Sequence, residues 1–438
     1  MLKKIVILSL IFILSINSFI CFAKETSAVA QLTNQKPPAQ ELKKLADDLM
    51  VTVSKIRGLN FKHQITKKVT NQNEVRSIML KELQNPENMA KLDGEGKMLI
   101  KLGLLPENFD YRKFLVDLYV EQIAGFYVPE NKIIYIADWM SMDMQPSILS
   151  HELTHALQDQ YFDLTKVLKP DYNRSDMNMA KTSVVEGEAT MVMLEYMIKD
   201  YGFNIYELPN FSMVQFQDMM PYSSSTEAKL LATAPAVISD TMTFPYLYGT
   251  DFIMSFVKKY GWKQVASIYA AMPQSSEQIM HPEKYMSAGK DCPVKIELNN
   301  IENALGSGWK KINTDVLGEY VYYILLRELS GKNTATIASS GWGGDQIQCF
   351  QNGSSVMVIM MTLWDTEKDG HEFFDAYNKA VTNKYSREQM EDKGSNYFLW
   401  STEDKYVYSG INGKKVLIIE GVPEEIIYKL LKTCSFWK

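Results

Sequence analysis

The chain has 438 residues, of which 46% are hydrophobic and 22% charged, and its formal net charge is −6. These values are ordinary for a globular protein and exclude long intrinsic disorder. The sequence has a single long apolar run, which excludes a polytopic membrane protein with several spans. The negative net charge gives no reason to expect nucleic acid as a partner. The length predicts two or three domains, and four cysteines are too few for a disulfide-built scaffold.

The N-terminal residues have the layout of a secretory signal peptide. Lys3 and Lys4 precede an apolar stretch from Ile5 to Ile20, and small residues follow it. We therefore predict a signal peptide over residues 1–23 and a secreted or otherwise extracytoplasmic protein. The alternative is an uncleaved membrane anchor, because the run is nearly long enough to span a bilayer.

Removal of the signal peptide would leave three cysteines. They are Cys292, Cys349 and Cys434. Outside the cytoplasm one pair of them could oxidise, but the sequence does not select the pair. Free buried thiols are the alternative.

Residues 24–110 are predicted to form an N-terminal helical region. Apolar residues at spacings of three and four predict its first helix, which Gly58 ends. These apolar residues are Leu42, Leu45, Leu49, Val53 and Ile56. The sequence leaves open whether this region is a subdomain or a propeptide.

Residues 111–295 are predicted to form the next domain. Two apolar segments of period two flank the turn at residues 129–132, which predicts a β-hairpin between residues 125 and 136. Proline in the first turn and glycine at the end mark helix boundaries in this region. Helices are predicted over residues 111–123, 146–160, 175–201 and 249–260. Gly202 is the predicted cap of the helix over residues 175–201.

Residues 305–438 are predicted to form a smaller C-terminal α+β domain. Val356–Thr362 has the length and apolar character of a strand, and a helix marked by Phe373 follows it. Asn412-Gly413 is a strong two-residue hairpin turn between two further strands. A mixture of this kind predicts a separate α+β unit.

The segment His151-Glu152-Leu153-Thr154-His155 is the main signal for chemistry. On a helix, positions i and i+4 lie on one face, so the two imidazoles converge on one point. Zinc accepts imidazole nitrogens at about 2.0–2.1 Å, and a catalytic site keeps one position for water. Glu152 lies between the histidines and can act as general base for that water. The alternative is a helix with two surface histidines.

A catalytic zinc needs a third protein ligand. Tyr161 stands where an extended motif would have a third histidine, whereas Glu186 and Glu188 lie within the next long helix. These two glutamates are two residues apart and point to different sides of that helix, so only one of them can easily ligate.

The HELTH segment followed by EGEA resembles the gluzincin metallopeptidases, the clan of thermolysin and the zinc aminopeptidases. The resemblance covers roughly residues 116–290, and the strings HELTHALQDQ and VVEGEA also resemble uncharacterised secreted bacterial proteins of this clan. In the aminopeptidases an E-G-x-A motif begins with the third ligand, which implies Glu186. Gly187 would then let its helix approach the zinc helix closely, and replacement of Glu188 should leave zinc binding nearly intact.

The resemblance also implies a fold. We expect an α+β protein with a mostly helical zincin-like catalytic core and a β-hairpin before the HExxH helix. The smaller C-terminal α+β domain would follow this core.

Three further residues could contribute to such a site. Phe244-Pro245-Tyr246-Leu247-Tyr248-Gly249 resembles the P-Y-x-x-G segment of the aminopeptidases, which implies Tyr246 as the hydroxyl donor to the oxyanion. A packing tyrosine at a helix start is the alternative. Asp251 follows a Gly-Thr pair and is an alternative third ligand. His281 precedes a proline, and a capping or packing role is expected for it.

These residues and the resemblance together predict a secreted zinc-dependent metallopeptidase that acts on peptide or protein substrates. Zn²⁺ would be held by His151, His155 and Glu186, with Glu152 as general base for the zinc-bound water. The aminopeptidase motif that binds the free amine of a substrate is not evident, which favours endopeptidase action. The hairpin could supply an edge strand for the substrate.

The alternative function is a non-catalytic cell-envelope binding protein that retains a structural zinc site. Neither nucleic acid nor a membrane beyond the signal segment is expected as a partner. The sequence leaves the oligomeric state, the cleavage preference and the role of the C-terminal domain open.

Overall fold

The computed structural model describes residues 38–83, 86–122, 125–219, 229–385, 390–402, 405–433 and 436. The predicted signal peptide and Cys434 lie outside the described residues. The helices are α1 (Ala39–Arg57), α2 (Gln72–Leu83), α3 (Pro86–Leu102), α4 (Tyr111–Gln122), α5 (Gln145–Phe162), α6 (Leu164–Val167), α7 (Ser175–Ile198), α8 (Met213–Met219), α9 (Lys229–Ala232), α10 (Ala236–Tyr260), α11 (Ala266–Ala270), α12 (Ser276–Met280), α13 (Pro282–Met286), α14 (Ile301–Leu305), α15 (Gly318–Ser330), α16 (Lys332–Ser339), α17 (Glu367–Lys384) and α18 (Glu424–Thr433). The strands are β1 (Thr66–Thr70), β2 (Gly125–Val128), β3 (Ile133–Ala137), β4 (Lys310–Asp315), β5 (Trp342–Asn352), β6 (Ser355–Trp364), β7 (Met390–Lys393), β8 (Tyr397–Ser401), β9 (Tyr406–Asn412) and β10 (Lys415–Val422). Short 3₁₀ turns cover Ile205–Glu207 and Trp262–Val265.

A three-stranded sheet precedes the HExxH helix, with strand order β1-β3-β2. β2 and β3 form the predicted antiparallel hairpin. β1 pairs with β3 in parallel, with Thr66 opposite Ile133 and Thr70 opposite Ala137. Only helices are predicted in the N-terminal region, so β1 is a difference from the sequence analysis. Its five residues contain one apolar side chain, Val69, and the strand exists through its pairing with the distant β3.

The N-terminal helix α1 is part of the core beneath the HExxH helix. It ends at Arg57, as predicted, with Gly58 in the left-handed conformation (φ 72°). Its buried apolar face packs against the buried apolar side chains of α5. On α1 these side chains are Leu42, Ala46, Leu49 and Val53, and on α5 they are Leu149, Leu153, Ala156 and Leu157. The burial of this stripe is what stabilises both helices in place.

The long helices α7 and α10 cross at close range beside α5. α7 ends at Ile198, three residues before its predicted end, and Gly202 therefore lies beyond the helix rather than at its cap. α10 begins at Ala236 rather than at Gly249 and carries Pro245 in its interior. The early start was not predicted because proline inside an apolar run usually ends or kinks a helix.

The C-terminal part confirms the predicted mixture of strands and helices. Its seven-stranded antiparallel sheet has the order β4-β5-β6-β10-β9-β8-β7 and includes the predicted Asn412-Gly413 hairpin. Alternate residues of β6 enter different clusters, with Val358 and Met360 on the side of α15 and α17, and Met357 and Ile359 on the side of α14 and α18. Helices thus cover both faces of the sheet, and the protein as a whole is α+β, as predicted.

The N-terminal region contacts both halves of the molecule. α3 packs on the C-terminal sheet, where a Cβ on Gly94 would lie 2.3 Å from the carbonyl oxygen of Ile312. The ammonium group of Lys384 donates a hydrogen bond to the carbonyl oxygen of Lys101.

Within the described residues, no helix combines the length and the apolar character that a bilayer crossing requires.

Candidate metal centre

The HExxH histidines lie on α5, a helix that begins with Pro146 in its first turn. Both imidazoles are buried, and their Nε2 atoms are 3.0 Å apart. One helix turn separates the two residues, so the helix itself brings these nitrogens to a common point.

Glu186 on α7 brings a carboxylate to the same place as the two histidine nitrogens. Its Oε2 atom lies 3.1 Å from Nε2 of His151 and 3.3 Å from Nε2 of His155. The two nitrogens and the carboxylate oxygen all lie within 4.8 Å of one another. Glu188, two residues further along α7, points away from the histidines and pairs with Arg57.

The three atoms fit the coordination shell of zinc. In a tetrahedral zinc site with bonds of about 2.1 Å, ligand atoms lie about 3.4 Å apart. The three separations, 3.0, 3.1 and 3.3 Å, are within about 0.4 Å of this value. In the part of the chain that the structure describes, the cluster offers three potential ligand atoms, which would leave one position of a tetrahedron for water.

The ionisation of these groups suits ligation. Burial disfavours the charged Glu186, but the two adjacent imidazoles outweigh burial and lower the pKa of this carboxyl to about 2. Burial lowers the pKa of His151 below its ordinary value, against the opposing effect of Glu186. Both shifts favour the forms that bind metal ions, which are a carboxylate and a neutral imidazole with a free lone pair.

Glu152 lies beside the cluster and is 1% exposed. Burial raises the pKa of this carboxyl well above its ordinary value, and the charge of Glu186 raises it further. The backbone N–H of Tyr127 in β2 donates a hydrogen bond to it, which acts in the opposite direction. The hairpin before the helix is thus in direct contact with the candidate base.

Tyr246 also lies near the histidines. Its ring centroid is 6.3 Å from that of His151, with an interplanar angle of 28°, and the residue is buried. The residue lies in the middle of α10, directly after Pro245, and not at a helix start. The oxyanion role of its hydroxyl stays a prediction.

Asp251, the alternative third ligand, is engaged elsewhere. Its carboxylate accepts hydrogen bonds from the hydroxyl of Ser212 and from the backbone N–H groups of Met213 and Val214. These donors belong to the start of α8, so Asp251 caps this helix from α10. It is not among the residues that converge with the histidines.

Gly187 serves a different contact from the one predicted. A Cβ at this position would lie 2.2 Å from the carbonyl carbon of Gly249, and a Cβ on Gly249 would lie 2.2 Å from the carbonyl oxygen of Ser183. Gly187 therefore permits the approach of α7 to α10 rather than to α5. The prediction was wrong in its partner because the sequence does not reveal which helix crosses α7 at this residue.

Sequence reasoning missed Gln158 and the residues behind it. The Nδ1 atom of His155 is 2.9 Å from Oε1 of Gln158, and Nε2 of this amide lies within hydrogen-bond distance of Glu188 on α7. Gln158 follows His155 by three residues, and this spacing on a helix was the available signal.

His281 and the nearby acidic residues belong to other contacts. The Nε2 atom of His281 is 3.0 Å from Oε1 of the buried Glu319, and this pairing raises the pKa of the imidazole. The residue stands between α12 and α13 and ends the first of them, in line with the expected capping role. A separate acidic cluster surrounds the ammonium group of Lys284, which makes three ion pairs. Its members are Glu277, Asp291 and Asp365.

The two described cysteines, Cys292 and Cys349, are both free thiols, the first exposed and the second buried. The predicted disulfide alternatives that involve Cys434 fall outside the described residues.

Comparison with known proteins gives one family match. Residues 305–430 match the model of a domain of unknown function, DUF8575, and this range spans the C-terminal sheet. The HELTH and EGEA segments lie outside the matched range. A search of curated proteins finds no match.

A solved structure that matches the chain is similar at a low level. It is described as a candidate hydrolase with a novel fold from Chloroflexus aurantiacus and is 14% identical, with a TM-score of 0.34. The similarity covers 64% of this chain and 98% of that chain. Similarity at this level defines neither a shared fold nor a shared activity.

Proposed function

We propose that the protein is a zinc-dependent peptide hydrolase. One observation carries the proposal: two imidazole nitrogens and one carboxylate oxygen converge within 4.8 Å, with a second buried carboxyl, Glu152, beside them. A site with three protein ligands and an adjacent base is typical of catalytic zinc, whereas structural zinc usually has four protein ligands.

Each residue would have a distinct task. His151, His155 and Glu186 would hold the zinc ion, which supplies Lewis acidity for the scissile carbonyl and activates the attacking water. Glu152 would accept the proton of that water and deliver it to the leaving amine. Its buried position beside the cluster suits a group that takes a proton from the water and passes it to the amine.

Tyr246 is the proposed donor to the oxygen that becomes negative during attack. A buried hydroxyl near the metal ligands would stabilise this charge in a low-dielectric site. Replacement of such a donor typically reduces turnover by about 10²–10³-fold.

The hairpin bears on the predicted pairing of a peptide substrate with an edge strand. β2 is the outer strand of the β1-β3-β2 sheet, and the backbone of Tyr127 in this strand contacts the candidate base. An extended peptide that pairs with an edge strand is held by its main chain, so its amide bonds lie in a regular array. All four residues of β2 are buried, and the N–H of Tyr127 donates to Glu152, so this edge is not open to a substrate strand among the described residues. The preference for endopeptidase action therefore rests on the sequence, in which the amine-binding motif of the aminopeptidases is not evident.

We also propose secretion, which rests on the basic and apolar layout of residues 1–23. A peptidase confined outside the cytoplasm would meet peptide or protein substrates there. The alternative function is a cell-envelope binding protein with a structural zinc. The buried Glu152 speaks against this alternative, because a structural site has no need of a base.

The proposal is tested by a cleavage-site profile on a complex mixture of peptides. The protein is freed of metal with a chelator, reloaded with zinc, and incubated with the mixture, and new peptide termini are counted by mass spectrometry. We expect new termini with zinc and none after chelation. Zinc binding without any new termini would instead support the binding-protein alternative.

A further inference from the structure

A buried polar network lies behind the metal ligand His155. Its central residue is Gln158, whose side-chain nitrogen Nε2 has three partners. They are the carbonyl oxygen of Val185 at 3.0 Å, Oε2 of Glu188 at 3.1 Å and the hydroxyl of Tyr269 at 2.9 Å. Gln158 itself is 1% exposed.

These partners determine the orientation of the amide. A carbonyl oxygen and a carboxylate oxygen can only accept hydrogen bonds, so the NH₂ end of Gln158 must face Val185 and Glu188. A flipped amide would place its oxygen against two acceptors. The amide oxygen Oε1 therefore faces His155, at 2.9 Å from Nδ1.

The orientation of the amide in turn fixes the tautomer of the histidine. Oε1 of Gln158 cannot donate, so Nδ1 of His155 must carry the proton and donate to it. In the neutral imidazole the lone pair then lies on Nε2, the atom that faces His151 and Glu186. Hydrogen bonds of this kind orient metal-binding histidines in general.

Glu188 is held in turn by two further residues. Arg57, from the N-terminal helix α1, donates from Nε to Oε1 of this carboxylate, and the hydroxyl of Tyr269 donates to Oε2. Arg57 and Glu188 are both almost fully buried, with side-chain exposures of 2% and 0%. A buried carboxylate without a cation would be strongly destabilised, so Arg57 is what compensates the charge of Glu188 and holds it in place.

We propose that Arg57, Glu188 and Gln158 are positioning residues that hold His155 with its Nε2 lone pair directed at the metal. The inference rests on the proposed metal centre and extends it to the N-terminal region. α1 then belongs permanently to the active protein, and residues 38–57 are not a propeptide that is removed on activation. It also replaces the expectation that Glu188 is dispensable for zinc binding.

The first test replaces the central amide. Gln158→Met keeps the length of the side chain and removes its hydrogen bonds, and Gln160→Met makes the same change two residues further along α5. Zinc affinity is measured by competition with a chromophoric chelator. We expect a loss of about 10–100-fold for Gln158→Met, the usual effect of removing such a partner, and no change for Gln160→Met. Equal affinities for Gln158→Met and the wild type would overturn the proposal.

The second measurement reads the Nδ1 proton of His155 directly in the metal-free protein. The chain has five histidines, so a spectrum of protein labelled with ¹⁵N-histidine can be assigned by single substitutions. We expect a protonated Nδ1 on His155 in the wild type, with slow exchange of this proton because Oε1 of Gln158 accepts it, and faster exchange in Gln158→Met. A wild-type His155 without a proton on Nδ1, or equal exchange in the two proteins, would overturn the proposal.

The third test addresses the N-terminal helix. Arg57→Met should weaken zinc binding, whereas Lys55→Met, an exposed change on the same helix, should not. Arg57→Met leaves the buried carboxylate of Glu188 without its cation. The double variant Arg57→Met/Glu188→Gln is therefore measured beside it. The neutral amide that replaces the carboxylate in this variant can still accept from Gln158, so we expect folding and zinc affinity to recover. Wild-type affinity in a folded Arg57→Met protein would contradict the role of α1, as would a folded double variant with no recovery.

These readouts separate the network from the proposed activity. A wild-type protein that binds no zinc would refute the proposed function, while the Nδ1 proton of His155 in the metal-free protein would still decide the network. If the protein binds zinc and cleaves nothing, the zinc affinities of the Gln158 and Arg57 variants still test the network.

Discussion

The crossing of α7 and α10 gives a sharp prediction for the variant Gly187→Ala. In a helix interior this substitution usually stabilises by up to about 1 kcal/mol, because alanine has the higher helix propensity. Here the added Cβ would lie 2.2 Å from the carbonyl carbon of Gly249, 2.3 Å from its oxygen and 2.7 Å from the nitrogen of Thr250. All three are backbone atoms, so no side chain can move aside.

The size of the effect follows from these distances. Ordinary contacts of a Cβ begin near 3.4 Å, so the two helices must separate by roughly 1 Å at this point. Overpacking of this kind costs about 1–3 kcal/mol, and after the gain in propensity we expect a net loss of about 1–2 kcal/mol. Glu186 is the adjacent residue, and functional geometry tolerates only about 0.5 Å, so zinc affinity should fall roughly tenfold or more.

The assay combines urea unfolding with chelator competition. Gly289→Ala is the matched control, because nothing lies within 4 Å of a Cβ at this position. We expect the control to be neutral in both measurements. Gly187→Ala with wild-type stability and wild-type zinc affinity would refute the reasoning about the helix crossing.

Three further predictions concern the ligands, the cap on α8 and a buried acid. The double variant His151→Ala/His155→Ala should lose the zinc that the wild type holds at about one ion per chain, and equal zinc retention by elemental analysis would contradict this. Asp251→Ala should lose about 1 kcal/mol, the usual value of a helix cap, with its zinc content unchanged, since its carboxylate accepts from Ser212 and Met213; loss of zinc would make Asp251 a ligand after all. Burial raises the pKa of Asp315 to about 7, against hydrogen bonds from Ser175. Because the folded-state pKa exceeds the unfolded value of about 3.9, wild-type stability falls as the pH rises from about 4 to 7. Asp315→Asn removes this titration, so its stability relative to the wild type should rise by about 2 kcal/mol between roughly pH 5 and pH 7, and a pH-independent difference in urea unfolding would contradict it.

Local pattern was enough to predict much of the fold. The hairpin before α5, the first turn at Pro146 and the Asn412-Gly413 turn depend on a few neighbouring residues, and the structure has all three. β1 was not predicted because its short, mostly polar segment becomes a strand only by pairing with β3, more than sixty residues away. The start of α10 was missed because tertiary packing overrides the local effect of Pro245.

The candidate site also has one part that local sequence predicts and one part that it does not. His151 and His155 share one helix turn, so the sequence alone predicts their convergence, and helix periodicity also predicts that Glu186 and Glu188 face opposite sides. The network behind His155 joins residues from α1, α5 and α7 that are far apart in the chain. No local spacing could have linked Arg57 to Glu188, because this pair exists only through the packing of α1 against the core.

The central claim is tested most directly by comparing zinc-loaded wild type with zinc-loaded Glu152→Gln in one peptide-cleavage assay, with zinc content measured on the same samples. Glutamine has the shape of Glu152 but cannot accept the proton. The account predicts equal zinc content and a cleavage rate that falls by about 10²–10⁴-fold in the variant. Equal cleavage rates, or wild-type cleavage that persists after complete removal of zinc, would contradict it.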